Sequence, residues 1–326
     1  MCVLVTNTNL DGETTAPALM KALRFGIELE TVGVARQALA CAIQSGVGGV
    51  ISQNGGEWHV ATPDGRIWKV VRDGSLSDTS NSGEIVSPVL DYADIEALQR
   101  VVRALRAAGA GTDSSTGIHI HVDGRRFDAA SVANLVRFVH KQERLLEHAL
   151  GVSSNRLEEY CQSIDARFIV QLEARRPKTM QELREVWYGR ANVAPERYHS
   201  SRYRGLNLNS LFFRGTIEFR YFNGTLHAGE VKAYVQLVLA LAANALTSKA
   251  ASSKRRDFTP ATAKYDFRVV MIRLGLIGDE FKTARLHLTK RLAGSAAWKR
   301  GRPNRPAVEA PSAPTSGEID DGRAAA

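Results

Sequence analysis

Residues 215–226 read GTIEFRYFNGTL and predict a β-strand with two chemically different faces. Ile217 and Phe219 have high strand propensity, and side chains two residues apart lie on the same face of a strand. Glu218 and Arg220 therefore share the opposite face. The pattern predicts one face that packs in a core and one face that carries charge.

The same alternation recurs in four upstream segments, and together the five segments predict one sheet. These segments are 24–30 (RFGIELE), 82–90 (SGEIVSPVL), 116–123 (TGIHIHVD) and 202–211 (RYRGLNLNSL). Each presents acidic, imidazole, amide or guanidinium side chains on one side. These side chains are Glu28, Glu30, Glu84, His119, His121, Asp123, Arg202, Arg204, Asn207 and Asn209.

Two interpretations of this polar face are open. A solvated face of an antiparallel sheet also alternates apolar and polar residues. Such a face usually carries Lys, Ser, Thr and Gln, whereas this set lacks Lys and is rich in Glu, His, Asn and Arg. Neighbouring carboxylates repel one another unless a cation lies between them. Glu and His together suit Mg²⁺ or Mn²⁺, so the pattern favours a divalent metal site.

Six motifs occur in order along the chain: FGIELE, DGSL, GEIVSP, GIHIHVD, RYRGLNL and TIEFRYFNGTL. Together they resemble the amidoligase family of the glutamine synthetase and glutamate–cysteine ligase (carboxylate–amine ligase) superfamily, over roughly residues 23–246. The resemblance implies ATP-dependent formation of amide bonds through an acyl phosphate. It also implies an α+β fold like the catalytic domain of glutamine synthetase. Such a fold has a curved, mostly antiparallel sheet, with a concave metal-binding face and helices on the other face.

The resemblance supports functional positions at Glu28, Glu30, Glu84, His119, Glu218 and Arg220. We expect one Mg²⁺ or Mn²⁺ ion to bind Glu28, His119 and Glu218, and a second to bind Glu30 and Glu84. The expected catalytic residues are Arg220, Arg204 and Glu218. The expected nucleotide- or substrate-binding residues are Arg202, Arg204, Arg220, Asn207, Asn209, Asp73 and Ser75, the last two because the DGS element of the family enters the site.

Two other functions remain open. A metal-dependent hydrolase could use His119, His121 and Asp123, because two histidines spaced by one residue on a strand can hold zinc. That function leaves Glu28 and Arg220 unexplained. A non-catalytic binding protein on a ligase scaffold is the other alternative. The chain has no GxxxxGK[ST] motif and no GxGxxG motif between a strand and a helix, which argues against P-loop and Rossmann nucleotide binding.

The patterns divide the chain into four parts, the second of which contains an insertion. These are a flexible leader (1–22), a catalytic domain (23–248) with a helical insertion or lid (152–197), a basic helical extension (249–300) and a disordered tail (301–326). Apolar periodicity predicts helices at 34–46, 91–108, 128–150, 227–246 and 265–293, and a hairpin at 58–76.

Composition is typical of a globular protein, with 44% hydrophobic and 24% charged residues among 326. The expected location is the cytoplasm, because no apolar run suits a membrane helix, no signal peptide is evident, and three scattered cysteines favour reduced thiols. Cys2 has no evident role. The net charge is +9, and residues 249–326 hold 16 Lys or Arg and 8 Asp or Glu. Without a recognisable DNA-binding motif, nucleic acid is not the expected partner. The expected partners are a small-molecule or peptide carboxylate and an amine, and the oligomeric state stays open.

Overall fold

The computed structural model describes residues 15–191 and 193–300. Over these residues the protein is α+β, with one eight-stranded antiparallel sheet. Its strands are β1 (Phe25–Val32), β2 (Val50–Asn54), β3 (Glu57–Ala61), β4 (Ile67–Val71), β5 (Ser82–Val86), β6 (Gly117–Asp123), β7 (Leu206–Asn207) and β8 (Thr216–Asn223).

Eleven α-helices accompany the sheet in the described residues. They are α1 (Ala16–Ala22), α2 (Arg36–Val47), α3 (Ile95–Ala107), α4 (Ala129–Leu150), α5 (Ser154–Glu159), α6 (Ala166–Arg175), α7 (Met180–Tyr188), α8 (Asn209–Arg214), α9 (Ala228–Thr247), α10 (Ala263–Arg273) and α11 (Lys282–Thr289). None of these helices combines the length and the apolar character needed to cross a membrane.

The order of strands in the sheet is β2-β3-β4-β5-β1-β6-β8-β7. Strand β1 is therefore central and pairs with β5 on one side and β6 on the other. Its register places Glu30 opposite Glu84 of β5 and Glu28 opposite His119 of β6. Residues directly opposite each other in antiparallel strands have neighbouring side chains. The register thus brings polar residues from distant parts of the sequence together.

Strand β8 contains an irregularity beside the polar residues. Ile118 pairs with Phe222 but Ile120 pairs with Phe219, so β8 has one more residue than β6 between these pairs. A β-bulge of this kind bends the strand locally and changes where its side chains point. Beyond the bulge Phe222 is buried and stacks on Tyr234 of α9, with 4.5 Å between the ring centroids. Strict alternation from Glu218 would have placed Phe222 on the polar face.

The apolar side of the sheet is covered by helices. Helix α9 contacts β6, α4 contacts β8, and α2 contacts β3, β4 and β5. Helix α4 is capped at its start by Asp128, whose side chain accepts a hydrogen bond from the Ser131 backbone, and at its end by Gly151 in the left-handed conformation. Val132, Val136 and neighbouring apolar residues of α4 are fully buried. This packing holds the central strands in a fixed frame.

The C-terminal extension is part of the folded core. Helix α11 packs on α9, and α10 packs on α4. Phe267 and Val270 of α10 are fully buried, and Lys290 forms an ion pair with Glu230 of α9. The predicted single helix at 265–293 is wrong, because Gly275 and Gly278, both with positive φ, separate two helices.

Most other predicted elements agree with the structure. The helices predicted at 34–46, 91–108, 128–150 and 227–246 and the hairpin at 58–76 are confirmed. The predicted insertion contains α5, α6 and α7. The strand predicted at 202–211 is wrong over most of its length, because only Leu206–Asn207 pairs with β8 and helix α8 follows at once. Of the predicted leader, residues 16–22 form α1, whose Met20 is buried, and residues 1–14 lie outside the described residues, as does the predicted tail at 301–326.

Candidate active site

A cavity of about 370 Å³ lies over the polar side chains of the central strands. All but one of the side chains predicted to bind metal, nucleotide or substrate, or to catalyse the reaction, line it. These are Glu28, Glu30, Glu84, His119, Glu218, Arg220, Arg202, Asn207, Asn209, Asp73 and Ser75. The structure therefore brings residues from β1, β5, β6, β7 and β8, and from the loop after β4, into one place.

Glu28 lies between the two histidines of β6. Its Oε2 is 3.2 Å from Nδ1 of His119, and its Oε1 is 3.3 Å from Nε2 of His121. Arg214 approaches the same carboxylate, with 3.6 Å between Nη1 and Oε1. Burial alone would raise the pKa of Glu28, but the neighbouring His121 and His119 hold that pKa well below its ordinary value. Glu28 is thus an anion at neutral pH and a candidate ligand.

Glu218 is held from two sides. Nη1 of Arg220 donates to its Oε1 over 2.5 Å, and Nδ2 of Asn207 donates to its Oε2 over 2.7 Å. Burial would raise the pKa of Glu218, but His121 and Arg220 lower it below the ordinary value. Arg220 also donates from Nε to the backbone oxygen of Tyr160 over 3.1 Å. The carboxylate and the guanidinium therefore have fixed positions on the cavity floor.

A second acidic group lies on the β5 side. Oε2 of Glu30 accepts a hydrogen bond from the Gly117 backbone over 2.5 Å. Burial and the negative charges of Glu28 and Glu30 raise the pKa of Glu84 well above its ordinary value. Asp73 completes the group, and its Oδ1 accepts from both the backbone nitrogen and the hydroxyl of Ser75, over 2.8 and 2.7 Å. Without a cation the carboxylates of this group repel one another, and the raised pKa of Glu84 reflects this repulsion.

The donor set suits divalent cations. Three groups of three side chains have ligand atoms within 4.8 Å of one another. They are Glu28 with His121 and Glu218, Glu28 with Glu84 and His119, and Glu30 with Asp73 and Glu84. In addition, Nε2 of His121 is buried and makes no hydrogen bond of good geometry in the described part of the chain, although Oε1 of Glu28 lies 3.3 Å from it. A buried nitrogen this close to a carboxylate oxygen, with no hydrogen bond between them, fits a pair of ligands around one metal ion.

Two sequence-based assignments do not agree with these positions. Arg204 lies outside the cavity, where it donates to the Ser163 backbone over 2.9 Å and lies 3.3 Å from Asp165. The reason is that residues 200–203 form a 3₁₀ turn, so Arg202 and Arg204 do not share a strand. Asp123 is bound by Arg24 and Arg125, which leaves the hydrolase set of His119, His121 and Asp123 without its carboxylate.

Several residues that line the cavity or contact its side chains are not predicted by the sequence patterns for a ligase site. The sequence assigns His121 only to the hydrolase alternative, although its spacing from His119 places it on the same face and it contacts Glu28. Arg214 and Arg156 line the cavity itself. Arg156 lies in the insertion, where many scattered arginines give no local signal. The aromatic side chains of Tyr160, in the insertion, and of Tyr198 and Tyr203, which follow the insertion, also line the cavity.

One more group of potential ligands lies away from the cavity. It comprises His227, which directly precedes α9, Glu230 of α9 and His287 of α11. Here Lys290 pairs with Glu230 and lowers its pKa against the opposing effect of burial. Because the charge of this carboxylate is already compensated, the group has less need of a cation than the cavity groups.

The fold and the site define an α+β protein with an antiparallel sheet whose central strands carry an acidic cavity flanked by arginines. The family model described as "Putative amidoligase enzyme" matches residues 21–242. The match covers more than half of the chain, and the protein belongs to this amidoligase family. No curated protein matches the chain.

Proposed function

We propose that the protein is an ATP-dependent carboxylate–amine ligase that forms an amide bond on an amino-acid or peptide substrate. The family match supports amide-bond formation. The observation that carries the proposal is the convergence of four glutamates, His119 and a buried arginine around one cavity, with His121 in contact with Glu28. We further propose that the sheet is the metal-binding face of a fold like that of glutamine synthetase.

The proposed reaction has two steps. In the first, an oxygen of the substrate carboxylate attacks the γ-phosphorus of ATP, the bond to the β–γ bridging oxygen breaks, and ADP leaves with the electron pair. In the second, the amine nitrogen attacks the acyl carbon of the resulting acyl phosphate. The bond from this carbon to the phosphate oxygen breaks, inorganic phosphate leaves, and the proton of the amine passes to solvent or phosphate. Phosphoryl transfer of this type depends mainly on positioning and on charge stabilisation.

The side chains around the cavity have two roles in the proposed reaction, metal binding and charge stabilisation. Two Mg²⁺ or Mn²⁺ ions would be held by the acidic and imidazole side chains, which are Glu28, Glu30, Glu84, His119, His121, Glu218 and Asp73. Bound divalent ions neutralise the phosphate charge and polarise the phosphoryl oxygen atoms. Arg220 is kept rigid by Glu218 and by Tyr160, so its Nη2, which makes no hydrogen bond within the described residues, can face the charge that develops during transfer. A fixed donor needs no reorganisation during the reaction.

The remaining predicted residues suit binding of the nucleotide or the carboxylate substrate. Arg202 lines the cavity and has no ion pair within 4.0 Å among the described residues. Its guanidinium lies 5.4 Å from the ring centroids of both Tyr198 and Tyr203. Asn209 is positioned by Tyr188, whose hydroxyl donates to Oδ1 over 2.5 Å. Arg204 has no part in the proposed mechanism, because it lies outside the cavity.

The proposal is tested by turnover of ATP with pools of carboxylates and amines. We expect release of ADP and phosphate that requires Mg²⁺ or Mn²⁺, a carboxylate and an amine, together with a product whose mass equals the sum of carboxylate and amine minus water. The variant Arg220→Ala, measured in parallel, should slow this release by about 10²–10³. If the rate of phosphate release is the same with and without every amine pool, this would contradict ligation and favour simple hydrolysis of ATP.

A further inference from the structure

Arg156, in helix α5 of the insertion, is the buried cation that the proposed mechanism leaves unused. Its side chain is 2% exposed, yet it lines the cavity. None of the ion pairs of 4.0 Å or less in the described residues includes it. Its Nη2 donates to the backbone oxygen of Arg220 over 2.9 Å, while its Nε is buried with no hydrogen-bond partner there. A buried guanidinium with a free donor is destabilising unless a ligand binds it.

The surroundings keep this guanidinium in place. Arg156 donates to the carbonyl of Arg220, and Arg220 donates in return to the carbonyl of Tyr160, so the end of α5 and strand β8 are joined by two arginines. The start of α5 is tied to the same strand, because Asn223 accepts from the Ser153 backbone over 3.2 Å. The position is therefore built into the fold.

The neighbouring residue of β6 makes room for the guanidinium. A Cβ atom on Gly117 would collide with Nη1 of Arg156. The backbone nitrogen of Gly117 donates to Glu30, so this glycine lies next to both the Glu30 carboxylate and the Arg156 guanidinium. Any side chain here would push the guanidinium out of its position. Gly117 therefore offers a way to move Arg156 without removing its charge.

We infer that Arg156 binds an oxyanion, either a phosphoryl or a carboxylate group, of a ligand in the cavity beside Glu30. Guanidinium nitrogen atoms bind both groups with strong, directional hydrogen bonds. The site would place a negative group next to Arg220 and against the acidic floor, where divalent cations offset the repulsion. The identity of the ligand rests on the proposed ligase function, whereas the binding itself needs no turnover.

The test measures anion binding by the full-length protein. Binding is detected as an increase in the thermal unfolding temperature in phosphate or in glutarate, each compared with chloride at the same pH and ionic strength. Four variants are compared with the wild type: Arg156→Met, Arg156→Lys, Gly117→Ala and Arg103→Met. The last removes the same charge from an exposed position on α3, outside the cavity. Stabilisation by phosphate alone assigns Arg156 to a phosphoryl group, and stabilisation by glutarate alone assigns it to the substrate carboxylate.

We expect the wild type and Arg103→Met to bind one of the two anions equally well. Arg156→Met should bind it at least about tenfold more weakly, as the loss of a hydrogen bond to a charged group predicts. Gly117→Ala should also weaken binding, and Arg156→Lys should retain part of it. If Arg156→Met does not fold, Gly117→Ala and Arg156→Lys decide the test. Equal binding by the wild type and the Arg156 variants, or no response of the wild type to either anion, would overturn the inference.

These results are separable from the proposed function. If anion binding depends on Arg156 but the protein shows no amine-dependent ADP release, the anion site at Arg156 is supported and the ligase function is contradicted. If amine-dependent ADP release is unchanged in Arg156→Met, the ligase function is supported and the anion site at Arg156 is contradicted.

Discussion

Nη1 of Arg220 lies 2.5 Å from Oε1 of Glu218, and both side chains are almost completely buried, at 4% and 5% exposed. Removing one partner of such a pair leaves the other charge buried and uncompensated, which is strongly destabilising. Within the described residues, Asn207 is the only other hydrogen-bond partner of the Glu218 side chain. Substitution of either residue should therefore change both the stability of the fold around strand β8 and the charge of the cavity.

The two members of this pair should differ in their effect on function. Arg220→Ala should retain metal binding but lower the turnover rate by about 10²–10³, as the loss of one oxyanion donor does in other enzymes. Glu218→Ala should weaken metal binding. Each of the two substitutions leaves the other charge of the pair buried and unpaired, with a loss of unfolding free energy on the order of 3–5 kcal/mol. Calorimetric metal titration and initial rates measure the two effects. Equal metal binding by the wild type and Glu218→Ala would remove this glutamate from the ligand set.

Nucleotide binding should require a divalent cation, because the cavity floor is acidic. We expect calorimetry to show ATP binding with Mg²⁺ or Mn²⁺ and none with EDTA. Glu28→Gln should weaken binding of Mn²⁺ alone, since Glu28 belongs to two of the three cavity groups. His287→Ala is the matched control, because it changes the ligand group outside the cavity. If His287→Ala and not Glu28→Gln reduces Mn²⁺ binding, the metal lies at the α9 and α11 group instead.

Asp123 should be dispensable for metal binding. Its carboxylate is engaged by Arg24 over 2.7 Å and by Arg125 over 2.8 Å. Asp123→Asn should therefore bind Mn²⁺ and Zn²⁺ like the wild type, whereas His119→Ala should bind Mn²⁺ more weakly. Calorimetric titration of the two variants measures this difference. A loss of Zn²⁺ binding in Asp123→Asn would instead favour the hydrolase set of His119, His121 and Asp123.

Glu143 of α4 should make stability depend on pH. Burial raises its pKa to about 7 from an ordinary value of 4.5, and the hydroxyl of Tyr221 donates to it over 2.9 Å. Between these two values the unfolded chain has released the proton and the folded protein retains it. The free energy of unfolding should therefore fall as pH rises from about 4.5 to about 7, by about 3 kcal/mol in total.

This pH dependence is measured by urea unfolding at pH 5 and pH 8 in EDTA. Glu143→Gln should lose most of the decrease, because its side chain has no charge at either pH. Glu96→Gln, at an exposed position of α3, is the control for removing a carboxylate. If Glu143→Gln and the wild type lose equal stability between the two pH values, another group causes the decrease.

The C-terminal extension should be needed for folding, although it contributes no side chain to the cavity. The last cavity-lining residue along the chain is Arg220. Removal of residues 250–326 would uncover the surfaces of α4 and α9 on which α10 and α11 pack. It would also remove buried side chains such as Phe267 and Leu288, each of which is worth about 1.5–3 kcal/mol. Thermal unfolding measures the loss, with a chain shortened only by residues 301–326 as the control. A chain that ends at residue 249 and melts like the full protein would contradict this role.

Some features of the site follow from local sequence patterns. Glu28 and His119 alternate with apolar neighbours, and strand geometry alone predicts which face each of them occupies. Short-range rules of this kind involve only adjacent residues of one strand, so they need no knowledge of the fold. The prediction that Glu28, His119 and Glu218 lie in one cavity also agrees with the structure.

Other features depend on register, turns and packing. The contact of Glu218 with Asn207 requires the pairing of β7 with β8, and the exclusion of Arg204 follows from a 3₁₀ turn that interrupts the predicted strand. Arg156 reaches the cavity only because α5 folds back onto β8. Alternation within a strand is a property of the backbone of that strand and was therefore determined by the sequence itself. The distances between strands, turns and insertion were decided by the tertiary structure, because they arise from long-range pairing and from the burial of side chains far apart in the chain.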